Sequence, residues 1–204
     1  MKKTLLFAFF LLSAISATAQ VTIKPGIRAG ANFSTLTNTD LDAKTDFYVG
    51  GFAAIKLTKF YTMQPEVTYS RQGAEGQLPT TDNNGNTIYR NADIELQYIS
   101  LALVNKFTLT DNFNIHLGPT FDIIANSPGY LNADVDLGLT AGVGYTLPFG
   151  LTIEARVKKG IINVLDDYYY NYDYNYNGYG WDNSTNLVFS VGVSYSFKVT
   201  GATK

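Results

Sequence analysis

Seven ionisable residues, Arg28, Lys56, Glu66, Lys106, Glu154, Arg156 and Lys158, fall at positions that alternate with apolar side chains. Charges in such a setting can do one of two things. They can line a water-filled path and act on an ion or a solute, because ionisable groups inside an apolar shell are costly and often functional. Or they can cross a narrow interior and neutralise one another, Glu66 and Glu154 each flanked by Arg or Lys on neighbouring strands. The second reading is preferred, since side chains alone fill a small barrel. His116 is the single histidine, and Asp122 lies six residues further on. That is about 20 Å along an extended strand, too far for an oriented acid–base pair. His116 therefore reads as a polar interior residue. The chain has no Cys, so thiolate nucleophiles, disulfides and zinc–sulfur sites are excluded. No Ser, His and Asp set and no metal-ligand spacing can be assembled, so neither an enzyme nor a cofactor is expected.

The elements that must hold those charges are strands. Leu187, Phe189, Val191, Val193, Tyr195 and Phe197 share one parity, and Ser190, Gly192, Ser194 and Ser196 the other. Successive side chains of a strand point to opposite faces, so this segment has one apolar wall and one small polar wall. Seven further segments alternate in the same way: 23–34, 46–58, 60–73, 94–107, 113–125, 134–146 and 151–161. The fourth is the least regular, because Leu96, Tyr98 and Val104 share a parity with Ser100 and Lys106, and Ile99, Leu101, Leu103 and Phe107 are assigned outward. In the seventh, Lys159 alone breaks the pattern. Connections alternate between short (near Thr58, 110–112 and 148–150) and long (35–45, 74–93, 126–133 and 163–185). Within the second long link, Asp82-Asn83-Asn84-Gly85-Asn86 reads as a hairpin turn, not a metal site.

Composition agrees with this reading. The chain carries 18 Gly, 15 Tyr and 13 Phe with only 16% charged residues, which favours tight turns and an aromatic-bearing sheet. Its near-neutral charge shows no basic patch for nucleic acid. Lys2 and Lys3, the apolar run Leu5 to Leu12 and Ala17-Thr18-Ala19 read as a signal peptide over 1–19, cleaved after Ala19, with residues 20–204 forming the domain.

Period-two alternation also fits a sandwich, or a soluble barrel with its apolar face inward. The inward parity decides, because it collects most of the glycines together with the long charged residues. Glycines leave room for such side chains to cross a narrow lumen, and the bulky outward parity then meets lipid with Tyr and Phe at its margins. The expected fold is all-β: an eight-stranded, antiparallel, up-and-down transmembrane β-barrel of the OmpA/OmpX-like kind, in the outer membrane, with both termini on the periplasmic side.

The spacing Ser190, Gly192, Tyr195, Phe197 resembles the C-terminal assembly signal of outer-membrane barrels. That resemblance implies recognition by the barrel assembly machinery and closure of the last strand on the first. Gly26 to Ser34, Gln64-Pro65-Glu66 with the following Tyr69-Ser70 and Gly73, Tyr98 to Leu101, and Gly138 to Tyr145 resemble the PorT-type outer-membrane β-barrel family of Bacteroidetes. Ser100 departs from the Pro often found there. The resemblance implies a generic small barrel; a part in a secretion apparatus does not follow from fold alone.

The stretch from Asp166 to Asp182 holds Tyr168, Tyr170, Tyr172, Tyr174, Tyr176, Tyr179 and Trp181 among Asp, Asn and Gly. Exposed aromatics with adaptable polar neighbours suit recognition of an extracellular protein or glycan, and a low-complexity loop has the same composition. The function expected is structural or interactive, with outer-membrane lipid around the barrel. A small-solute channel is the alternative, and an exported barrel holding an apolar ligand would need every strand reversed.

Overall fold

The computed structural model describes residues 21–37, 41–81, 86–126, 135–162 and 185–197. The expected leader 1–19 and the aromatic stretch 168–181 lie outside them. Eight strands follow in order: β1 (Thr22–Leu36), β2 (Asp42–Lys56), β3 (Tyr61–Thr81), β4 (Thr87–Thr108), β5 (Phe113–Asn126), β6 (Val135–Thr146), β7 (Leu151–Gly160) and β8 (Asn186–Ser196). Each pairs antiparallel with its sequence neighbour, and β8 pairs with β1, closing the barrel. Gly192 sits opposite Gly30 on that seam, and Tyr195 opposite Ile27. Closure leaves no sheet edge along the paired registers, which is what lets strands cross a membrane.

The outward parity is predominantly apolar between the two margins, with Asn105 as a polar exception. Ile27 is 56% exposed, Val67 54% and Leu139 58%, an arrangement that a soluble barrel with an apolar interior would reverse. Ile99, Leu101, Leu103 and Phe107 of β4 point outward as expected. Aromatic pairs mark the margins of this band: Phe33 with Phe189 at 6.2 Å and Phe47 with Tyr69 at 6.2 Å at one end, Tyr61 with Phe107 at 5.5 Å at the other. Phe189 to Phe197, along β8 and one residue past its end, covers about 26 Å of extended chain, or roughly 20 Å along the axis at a ~40° tilt, close to the apolar height of such barrels. Beyond the first margin the exterior turns polar. Arg71 bridges Asp46 at 3.2 Å and Glu95 at 2.5 Å. The Glu95 carboxyl, outside the membrane band, is held below its usual range by a hydrogen bond from Gln97 and then by Arg71 and Lys44.

The second long link is largely strand. β3 and β4 stay paired from Tyr61↔Phe107 to Thr81↔Thr87, so residues 82–86 alone join them and 74–81 and 87–93 extend the hairpin. The Ala74 and Gly76 positions looked like loop residues because the alternation falters after Gly73. It falters at a real feature: β2 carries a bulge between Ala43 and Tyr48, where the ladder with β3 shifts register.

At the same end, inward apolar residues replace polar ones. Leu36, Leu41, Ala74, Ile94, Leu96 and Tyr98 form a buried cluster, with Ile124 packed against it. This explains why the parity of the fourth segment looks mixed: the interior changes from polar to apolar along a single strand. Leu96→Ala is expected to cost about 2–5 kcal/mol, as for other buried leucines. Urea unfolding of the protein in lipid, against wild type, measures it.

Candidate functional site

The lumen at mid-height is crossed by a closed ring of four charges. Arg28 on β1 reaches Glu66 on β3 at 2.6 Å and Glu154 on β7 at 2.8 Å. Arg156, also on β7, reaches Glu66 at 2.9 Å and Glu154 at 3.1 Å. Each guanidinium thus bridges both carboxylates, and each carboxylate meets both guanidinia. The four side chains are 9% exposed or less. Gln64 donates to Glu66 at 2.7 Å and Ser194 to Glu154 at 3.4 Å, which adds donors to the carboxylate oxygens. The Arg28 guanidinium lies 4.6 Å from the centroid of the Tyr48 ring.

Apart from Arg156 with Glu154, two residues apart on β7, these contacts run across the lumen, not between adjacent strands as the spacing had suggested. Glu66 sits opposite Phe52 and Ala102 in the sheet, neither of which is charged. An eight-stranded interior is narrower than an extended Arg plus an extended Glu, so long side chains meet over the axis before they meet a strand neighbour.

The remaining three cations stand apart from the ring. Lys158 pairs with Asp122 of β5 and lies 5.5 Å from the ring of Tyr98. Lys106 is half-buried with its ammonium 5.7 Å from the ring of Phe52. Lys56 keeps the inward parity but lies at the turn end of its strand and is exposed. Neither Lys106 nor Lys56 has a carboxylate within salt-bridge distance among the described residues, so the four-membered ring of direct ion pairs does not include them. His116 is fully buried, its Nε2 against Asn114 Oδ1. Asp122 is engaged by Lys158, and among the described residues no acid is hydrogen-bonded to His116.

Above the ring lies a second polar layer. Asn32 donates to Ser70 at 2.9 Å and accepts from Ser190 at 2.8 Å. Gln72 donates to Ser70 at 2.8 Å and accepts from Asn186. Between ring and layer is a cavity of about 60 Å³. Its walls include Tyr48, Thr68, Ser100 and Thr120, whose hydroxyls find no protein partner, and Arg156, whose Nε is likewise unspent. A volume of that size accommodates a few water molecules, each needing about 10–15 Å³ on this measure.

The charged residues of the ring were legible in the sequence; the aromatics beside them were not. Tyr48 and Phe52 on β2 point inward and are buried, although aromatics otherwise favour the lipid face. The available signal was the parity shared with Gly50. Space explains their inward placement: a Cβ on Gly192 would lie 2.3 Å from the Tyr48 hydroxyl, and one on Gly26 would lie 2.2 Å from the Phe52 ring. Glycines on β1 and β8 make the floor on which β2 lays its rings. Ser190 and Gly192 of the expected assembly signal therefore face the lumen, Ser190 bonded to Asn32, while Tyr195 and Phe197 pack edge-to-face at 5.4 Å.

A family model described as "outer membrane protein beta-barrel domain" matches residues 18–166. The chain belongs to this family. Its fold resembles the crystal structure of Neisserial surface protein A, with a TM-score of 0.50 and 14% identity over 86% of this chain and 97% of that one. Similar too are Ail, the attachment invasion locus protein of Yersinia pestis (TM-score 0.47, 10% identity, 85% of this chain and 98% of that one), and OprG of Pseudomonas aeruginosa (TM-score 0.44, 11% identity, 87% and 95%). Identities this low speak to fold alone. No curated protein matches the sequence. The molecule is an integral outer-membrane barrel of this family, with its apolar exterior facing lipid and the Arg–Glu ring inside.

Proposed function

We propose that this outer-membrane barrel is a structural or interaction protein whose lumen is sealed, and that its exposed connections, not its interior, engage partners. The observation that carries the reading is the four-membered ring of Arg28, Glu66, Arg156 and Glu154. Two cations and two anions cancel, every member is hydrogen-bonded, and their contacts join β1, β3 and β7 across the axis. Ions entering from either end meet a neutral, occupied cross-section with the apolar cluster of Leu36, Ile94 and Leu96 further along. No residue set in the sequence supports catalysis, and the chain is read as a non-enzyme.

In this reading the termini and the short turns lie in the periplasm and the long connections outside. The tyrosine-rich stretch with Trp181 is then the candidate surface for an extracellular protein or glycan, on composition. The finer placing in the PorT-type branch rests on Gln64-Pro65-Glu66, the most specific part of that resemblance. Here Gln64 donates to Glu66, a ring member, and Pro65 faces outward.

Single-channel conductance of the refolded protein in a planar bilayer tests the sealed lumen. Wild type is expected to be silent. Discrete openings in wild type, shifted by Arg28→Ala or Glu154→Ala, would make the protein a charged channel instead.

A further inference from the structure

The lysines that stand outside the ring are not scattered. Lys24, Lys56 and Lys106 all have the inward parity, and all lie on the turn side of the ring, on β1, β2 and β4. Lys56 and Lys106 flank Thr62 in one row of the ladder, two strand spacings or about 10 Å apart. Lys24 sits opposite Ala54, two residues from Lys56 on the same strand face. None of the three makes a salt bridge among the described residues. Lys24 and Lys56 are exposed at the rim, and Lys106 reaches deeper.

The facing wall carries no charged side chain: Asn114, Thr146 and Thr152 form a hydrogen-bonded chain beside Ser196, and His116 stands opposite Lys106 in the ladder. The nearest carboxylates, Glu66 and Glu154, are each bound by two guanidinia in the ring. Elsewhere at this end the sequence supplies almost no acid. Asp111 is the lone acidic residue on the short turns 57–60, 109–112 and 147–150. Like charges gathered at one end of a low-dielectric wall focus their potential and concentrate counter-ions.

We infer that the turn-end mouth of the barrel is a binding site for a small multivalent oxyanion of the phosphate class, held by Lys24, Lys56 and Lys106 with the hydroxyls and amide of the opposite wall. The ring beneath carries no net charge to repel the anion and closes its way through, so the site binds without conducting. Three ammonium groups suit a compact ligand with more than one charge better than a monovalent ion. The donors are point charges on flexible stems, which favours phosphate oxygens over the bidentate geometry that an Arg site would select. Phosphate of this kind comes either free in solution or on an anionic lipid headgroup.

The test is titration of pyrophosphate into the isotope-labelled, full-length folded barrel in nanodiscs of zwitterionic lipid, followed by amide NMR shifts. Saturable shifts are expected at Lys24, Lys56, Thr62 and Lys106, with none at the opposite end. Lys24→Gln and Lys56→Gln lie at the exposed rim and leave the fold intact. Each is expected to weaken binding by about fivefold, the effect of one charge removed at ~4 Å in water. Lys159→Gln, on the outer wall at the far end, is expected to change nothing. Repeating the measurement in nanodiscs containing phosphatidylglycerol, without pyrophosphate, identifies the source: the same shifts there assign the site to a headgroup, and their absence to free phosphate. Shifts that do not saturate, or an affinity equal in wild type and in the Lys24→Gln/Lys56→Gln double variant, would overturn the inference.

Discussion

Glu66→Leu is expected to destabilise the barrel by about 3–5 kcal/mol, the cost of leaving buried charges without their partner. Glu66 accepts from Arg28 at 2.6 Å and from Arg156 at 2.9 Å, so its loss exposes two guanidinia to each other with only Glu154 between them. Gln64 also loses its acceptor. Replacing the whole ring with apolar residues of similar volume is expected to cost far less, because a neutral core has no ion to desolvate. The ring therefore acts as a constraint on which side chains can cross the lumen together, more than as a source of net stability. The measurement is reversible urea unfolding in lipid of wild type, Glu66→Leu, Arg28→Leu/Glu66→Leu and the quadruple replacement. A Glu66→Leu barrel as stable as wild type would show that the ring is a solvated cluster and not a buried one. The same series separates stability from sealing: bilayer conductance that appears in Glu66→Leu, with the strand ladder intact by circular dichroism, would assign the seal to the ring itself.

The strand count, the antiparallel order, the closure of β8 on β1 and the outward parity were legible because each strand keeps one face in lipid and one in the lumen. A one-residue slip would invert both, so the sequence cannot blur that signal. The members of the ring were legible for the same reason: Arg28, Glu66, Glu154 and Arg156 are charges on the inward parity at mid-strand, where water cannot satisfy them. What the sequence could not give was pairing. Neighbour contacts are fixed by register, but contacts across the axis depend on barrel diameter and side-chain length, and these join Arg28 to Glu154 over 126 positions of chain. Lys56 and Lys106 were grouped with the ring because parity says which face a residue has and nothing about its depth. The extended β3–β4 hairpin was hidden by the glycines and the bulge near Gly73, where alternation lapses although pairing continues. Tyr48 and Phe52 were obscured by the general preference of aromatics for the lipid face, which glycines on β1 and β8 override here by making space within.

That last exception predicts the most severe single replacement. Gly192→Val is expected to abolish closure of the barrel, not merely weaken it. An ideal Cβ at Gly192 would lie 2.3 Å from the Tyr48 hydroxyl, 2.3 Å from the Ala29 carbonyl oxygen and 2.8 Å from the Cα of Gly30, its partner across the seam. The seam joins the first and last strands and alone closes the sheet on itself, so an obstruction there leaves two open edges. Of the obstructing atoms, the Tyr48 hydroxyl belongs to a side chain that can be removed, whereas Ala29 O and Gly30 Cα are backbone on β1. Tyr48→Ala in the Gly192→Val background is therefore expected to rescue only part of the folded yield, and more fully for Gly192→Ala than for Gly192→Val. Tyr48→Ala alone is expected to fold but to lose the contact of its ring with Arg28 and to leave a cavity over Gly30 and Gly192, at about 3–5 kcal/mol by analogy with other large aromatic deletions. The readout is the heat-modifiable mobility shift that separates closed from unfolded barrel on a gel, scored for the six proteins of the two cycles: wild type, Tyr48→Ala, Gly192→Val, Gly192→Ala and the two double variants. Full rescue of Gly192→Val by Tyr48→Ala would mean that β1 and β8 can spread to admit the side chain and that Tyr48 alone demands the glycine. No rescue for either substitution would mean that the backbone approach between Gly30 and Gly192 sets the register of closure, with Tyr48 filling a space that closure has already made.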